Sequence, residues 1–325
     1  MSLRWVQAWR TSLGLVSILM FIIRRKGDLF LLGYLIAIYA VLFGFFFMFG
    51  HAPLWGQAFM FWIGSILAGR IEAILHWSTH HPVFHSARLN TLHRLFYCVI
   101  PAPAIWYRHV HFHHHRFDNS EADLTSTLGP SGKAHRGLFP YLRLSLEHPN
   151  YIPFLKAMER KQRLECAVSF GLTFLITFIL FFVDTYATLV FWIPVTYVSS
   201  ALIVALYNYT DHVPGNPGDG FHYATYVELL TPYQRLLSFI DLHNISTHLT
   251  HHQFPNVYWN DLPKKQAERV EQYKAHGSPV SLAHNSGILF NPLAFLLMIY
   301  WVQRKRALAQ AVSDRHEEGI MQPGM

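Results

Sequence analysis

Four stretches of mostly apolar residues constrain this chain more than any other feature. They cover residues 28–50, 57–75, 164–183 and 187–207. Each is near the roughly 20 residues that an α-helix needs to cross a bilayer's hydrocarbon core. Inside that core every backbone polar group must be satisfied within its own segment, so such stretches fold as helices or not at all. The expected class is therefore an all-α, polytopic membrane protein with four transmembrane helices. Charged residues make up only 14% of the chain, well below the roughly 25% of soluble domains, which agrees with that class.

The spans pair into two hairpins. The connections at 51–56 (HAPLWG) and 184–188 (DTYAT) contain no Lys or Arg. By contrast, Arg24, Arg25 and Lys26 precede the first hairpin, and Arg160, Lys161 and Arg163 precede the second. The positive-inside rule puts both short turns outside and the rest in the cytoplasm, as expected in a cell inner membrane. The net charge of +7 fits this placement, and no nucleic-acid module is recognisable. Arg70 and Glu72 interrupt the second span near its end, consistent with a helix that continues out of the bilayer. Apolar runs at 12–23 and 286–302 are expected to lie along the membrane surface. The first, followed by Arg-Arg-Lys with no small-residue cleavage site, does not read as a cleaved signal peptide. With no internal repeat or linker, residues 1–325 are expected to form a single domain.

This orientation brings three histidine clusters to one side: 76–81 (HWSTHH), 111–115 (HFHHH) and 248–252 (HLTHH). His76 and His80 are four apart. His111, His114 and His115 follow HxxHH, as do His248, His251 and His252. Residues three and four apart share a helix face, so each cluster can aim two or three imidazoles at one spot. On a helix His114 and His115 fall at about 300° and 40° from His111, whereas His113 and His109 fall at about 200° and 160°. Eight imidazoles are more than one tetrahedral metal accepts, so two metals are the economical reading. Imidazole suits iron, zinc, copper and nickel alike. No HExxH zinc-peptidase motif exists, since Trp77 follows His76, and no Glu has a His three residues on, as a carboxylate di-iron bundle requires. Cys98 and Cys166 are the only cysteines, too few for a disulfide framework, zinc ribbon, rubredoxin or cysteine-held iron–sulfur cluster. An HPGG haem motif is also missing, so electrons must come from a separate partner.

In these motifs the chain resembles the integral-membrane fatty acid desaturase superfamily, which includes alkane hydroxylases and carotenoid oxygenases. HWSTH (76–80) is similar to the first box, HFHHHRFDN (111–119) to the second and HLTHHQFPNVYWNDLP (248–263) to the third. NYTDH (208–212) resembles the added Asn-to-His element, especially its hydroxylase form, and Asn244 matches an asparagine often placed ahead of the last box. The resemblance covers about residues 28–265. It implies four spans with a cytosolic helical cap carrying the histidine boxes, and two non-haem irons held by His76, His80, His111, His114, His115, His212, His248, His251 and His252, with O2 as co-substrate and no separate protein acid or base. The implied partners are an acyl chain linked to lipid, CoA or carrier protein, membrane lipids, and a ferredoxin, rubredoxin or cytochrome donor with its reductase. The implied reaction is acyl desaturation, with hydroxylation or acetylene formation as the alternative within the superfamily.

His81 offers a second reading of the first box, but i to i+5 turns away by about 140°, which favours His80. His81, Asn208, Asp211, Asn244 and Asp123 are candidates for orienting ligands. His109 and His113, with His85, His93, His135 and His243, are expected to pack against the ligands or serve the fold. A membrane metal sensor or transporter ranks last, because transporters place ionisable groups mid-membrane and these spans have almost none there.

Overall fold

The computed structural model describes residues 22–100, 103–129, 136–147, 151–213, 223–228, 231–244 and 246–281. The surface helices expected at 12–23 and 286–302 lie outside these residues, apart from Ile22 and Ile23. Among the described residues the fold is all-α, and the only β pairing consists of two isolated bridges, Ile23 with Phe84 and Tyr226 with Val280. Four helices among the described residues are long and apolar enough to span a membrane: α1 (Lys26–Phe49), α2 (Leu54–His80), α7 (Arg160–Val183) and α8 (Thr185–His212). Between them lie α3 (Ala87–Leu95), α4 (Ala104–Phe117), α5 (Leu138–Glu147) and α6 (Tyr151–Ala157). After them come α9 (Pro232–Ile240), α10 (His248–Gln253), α11 (Leu262–Ala267) and α12 (Val270–Ala275).

Packing divides the chain into two compact units. One runs up to Arg108 and resumes over Met158–Ser200, and the other takes His109–Ala157 and the chain from Ala201. In the first unit α1 buries Leu31, Leu35, Ile38, Leu42, Phe46 and Phe49 at helical spacing, yet Ile36, Phe47 and Met48 on its other side are exposed. Helix α7 is more extreme. Its buried residues are Cys166, Ser169, Thr173 and Leu180, while Phe174, Phe178 and Phe182 face outward. Small and weakly polar residues inside with large apolar ones outside is the pattern lipid selects, since helices meeting in a bilayer gain from close packing and not from hiding hydrocarbon. At Gly64 a Cβ would lie only 3.0 Å from the Phe191 ring, so glycine lets α2 approach α8 there without that ring giving way.

Local chemistry explains the helix limits. Glu159 and Gln162 form a reciprocal capping box at the start of α7, and Asp184 accepts from the Ala187 amide to start α8. Within α8, π-helical stretches at Thr188–Trp192 and Pro194–Ser199 surround a proline that has no N–H to give. Thr196 and Ser200 hydroxyls donate to the Trp192 and Thr196 carbonyls. Helix α2 continues to His80, five residues past the expected limit of its apolar stretch, with Arg70 and Glu72 buried within it.

His93 on α3 is buried against Phe84 and Tyr97, with ring centroids 5.7 and 5.2 Å away. Burial, helped by Arg94, holds its imidazole down at about 4. An unfolded chain takes up this proton near pH 6.5 and the folded one does not, so stability falls as pH drops from 6.5 towards 4. His93→Gln should remove this component, worth roughly 3 kcal/mol at most, and flatten the loss of thermal stability between pH 7 and 4.5. A variant with the wild-type pH slope would show that His93 is not the group responsible.

Candidate metal centre

The second unit builds its histidine sites around α4, α10 and the end of α8. Helix α4 ends in two left-handed residues, Asp118 (φ 41°) and Asn119 (φ 62°), a conformation that Asp and Asn tolerate better than most side chains. The Asn119 carboxamide then accepts from the Thr127 amide and hydroxyl at 2.7 and 3.0 Å. The Asn119 backbone amide donates to Asp123 Oδ2 at 3.1 Å, which turns the loop back on α4. On the other side the Thr225 amide donates to the Asp211 carbonyl and the Leu249 amide to the Thr225 carbonyl, each at 2.9 Å. One extended segment thus ties the end of α8 to α10, supported by the buried cluster of Tyr223, Ala224, Tyr226, Leu249 and Tyr273.

These constraints gather His114, His212, His248 and His252, all buried, with one ligand atom each within 4.8 Å of the others. His212 Nε2 lies 3.2 Å from His114 Nε2 and 3.1 Å from His248 Nε2. The opposite ring nitrogens face outward. His114 Nδ1 is 2.6 Å from Asp123 Oδ2, and Thr125 Oγ1 is 3.0 Å away. His212 Nδ1 lies 2.6 Å from the Tyr223 carbonyl and His252 Nδ1 lies 3.0 Å from Asp118 Oδ1. Asp211 Oδ2 stands 3.7 Å from His248 Nδ1, beyond hydrogen-bond range. Such outer partners fix the tautomer and leave the Nε2 lone pair directed inward.

His111, His115 and His251 form a second group. His115 Nε2 lies 3.0 Å from both His111 Nε2 and His251 Nε2. The HxxHH boxes therefore do not act as blocks. Each sends its i, i+4 pair one way (His111 with His115, His248 with His252), while His114 joins the second pair and His251 the first. In the first unit, His76 and His80 share a face of α2 with ring centroids 5.4 Å apart. His81 leaves the helix with extended backbone.

The electrostatics suit cation binding. Burial and the neighbouring imidazoles, His115 foremost, hold His252 well below its ordinary value, so it is neutral. Its Nε2 is buried without a hydrogen-bond partner among the described residues. Burial would raise Asp123, but the His114 ring and the bonds from His114 and Thr125 overcome it and keep the carboxyl well below the usual range. Burial pushes Asp118 up to about 6, with His114 opposing.

The remaining candidates have other surroundings. Asn208 donates to the Thr125 carbonyl and the Tyr141 hydroxyl at 2.8 and 2.7 Å, so it holds the loop that carries Asp123. The Asn244 amide closes a turn onto Asp241. His113 packs on Phe117 and Phe154. His243 meets Ser238 at 2.7 Å and stacks on Trp259. His135 lies outside the described residues. Sequence reasoning missed Asp118 and the Tyr223 carbonyl. The Asp-Asn pair after the second box was a usable signal for the first, whereas nothing local marks a carbonyl.

The family model for fatty acid desaturases matches residues 57–283. No curated protein matches the chain. Because the family match takes in all three histidine boxes and every span but the first, the chain belongs to the fatty acid desaturase family.

Proposed function

We propose that the protein is a membrane fatty acyl desaturase that uses two irons. His114, His212, His248 and His252 would hold one metal. His111, His115 and His251 would hold the other, and the resemblance adds His76 and His80 of the first box to the ligands. The observation that carries this is the buried, unpartnered Nε2 of His252 among three other inward-facing ring nitrogens. Neighbouring ring nitrogens in the two groups lie 3.0–3.2 Å apart, close enough to share a metal, and imidazole suits several metals, so the reading of iron rests on the family match.

Bound there, two irons would supply the O2 chemistry that removes hydrogens from an unactivated acyl C–H pair. The balance is –CH2–CH2– plus O2, two electrons and two protons giving –CH=CH– and two waters. Asp123, Asp118 and the Tyr223 carbonyl keep the histidines in the tautomer that offers Nε2, and buried surroundings limit water near the reacting chain. The electrons come from a separate ferredoxin, rubredoxin or cytochrome with its reductase. The basic residues flanking both hairpins support a cytoplasmic side for the histidines, in keeping with an inner membrane.

Lipid profiling by mass spectrometry of a host expressing the protein, paired with iron analysis of the purified chain, tests this reading. A new acyl double bond and two irons per chain are expected. An alcohol product would shift the reading to hydroxylation, and one zinc with no iron would remove the oxygen chemistry altogether.

A further inference from the structure

Glu72 is a carboxyl that the proposed chemistry leaves unused, and its position is a costly one. It lies inside α2, a helix long and apolar enough to span a membrane, and is only 5% exposed. Its Oε2 is buried with no hydrogen-bond partner among the described residues. Arg70, two residues before it, lies about 200° round the helix. Ionisable groups inside spans are expensive, and they mark ion pathways and proton relays. Three phenols from three elements sense the Glu72 charge: Tyr39 of α1, Tyr97 of the 3-10 turn at Phe96–Val99, and Tyr107 of α4. Burial foremost pushes Tyr97 and Tyr107 above the ordinary phenol range, and Glu72 adds to it. Tyr39 gives its hydroxyl to the Phe96 carbonyl. Tyr97 is linked outward instead. Its hydroxyl lies 2.8 Å from Ser78 Oγ and 3.4 Å from His93 Nε2, and both Ser78 and His93 line a cavity of about 400 Å³ at the His80 end of α2. In the other direction, Glu72, His76 and His80 recur every four residues along one face of α2.

We propose that Glu72 is the inner station of a proton path from this cavity to the site of oxygen reduction, a role that rests on the desaturase reading and extends it. Each double bond formed consumes two protons besides the hydrogens taken from the acyl chain, and buried surroundings keep bulk water from supplying them. A proton leaves the Glu72 carboxyl for oxygen that is being reduced to water by electrons from the separate donor. The carboxylate is then refilled by a shift of protons. Tyr97 gives its hydroxyl proton inward and takes one from Ser78 or His93 at the cavity wall. At each transfer one O–H or N–H bond breaks and one forms, and no group on the path is oxidised. The raised phenol suits Tyr97 to this place, since it relays a proton without standing ionised between transfers.

The test is an infrared difference spectrum, reduced minus oxidised, of iron-loaded full-length protein in neutral detergent, with dithionite as the electron source and no acyl substrate. Reduction should change a carboxylic-acid C=O band that shifts in D2O and on 13C-labelling of glutamate. Glu72→Gln should keep both irons and lose this band. Its alkene yield in an expressing host should fall roughly 100-fold or more, the range of a positioned proton donor. Glu72→Asp keeps a carboxyl and should recover part of that yield. Tyr97→Phe keeps the ring and the band, but exchange of the band into D2O should slow roughly tenfold or more, which a packing residue would not change. The proposal is overturned if Glu72→Gln keeps the band or the full alkene yield, or if it loses an iron, which would make Glu72 a ligand or a residue of the fold. Wild-type exchange in Tyr97→Phe overturns the relay even where the Glu72 variants do not fold. The spectrum is read without turnover, so the two readings fail separately. The expected band in a chain that forms no alkene overturns desaturation alone, and a chain that forms alkene without the band overturns the path alone.

Discussion

Replacing His114 or His252 by alanine is expected to abolish turnover and to remove one iron of two, while His113→Ala retains both metals. His114 and His252 stand in the four-histidine group with their Nδ1 atoms held by Asp123 and Asp118. Alanine at either position opens the metal's coordination and leaves a carboxylate without its partner, the buried Asp123 or the partly exposed Asp118. His111→Ala or His251→Ala should strike the other group. His113 is only two residues from His111 and one from His114, yet its ring lies 4.5 Å from Phe117 and 5.5 Å from Phe154. Losing it removes packing and no ligand, so a modest loss of stability is the expected cost. Iron per chain by elemental analysis, measured beside activity, separates the cases. If His113→Ala lost iron while His114→Ala kept full activity, the assignment of ligands along α4 would be wrong.

That experiment also probes the part of the site that spacing alone did not reveal. The four spans were legible because a bilayer demands long apolar helices, and the i, i+4 histidine pairs were legible because α-helical geometry is local. The division of each HxxHH box between two groups was not. It depends on how α10 meets α4, and the contact between His115 and His251 joins residues far apart in sequence. The limit of α2 was blurred for a different reason. Arg70 and Glu72 break the apolar run, although burial lets the helix carry them on to His80.

Asp123→Asn should lower iron affinity or activity by about 10- to 100-fold, the usual cost of losing a ligand's outer partner. The side chain has two duties that the substitution separates. It accepts from the Asn119 and Thr125 amides at 3.1 and 2.8 Å and from the Thr125 hydroxyl at 2.9 Å, which shapes the loop. It also stands 2.6 Å from His114 Nδ1, where its charge makes the imidazole a stronger donor to a cation. Asparagine keeps the shape and one acceptor oxygen but not the charge. Thermal stability should therefore move less than metal retention, and the loss should fall on the iron held through His114. Asn119→Ala is the matching control. It removes the carboxamide that accepts from Thr127 and should destabilise the loop without selecting one metal. Equal retention of both irons by Asp123→Asn, with a drop in stability like that of Asn119→Ala, would reduce Asp123 to a residue of the fold.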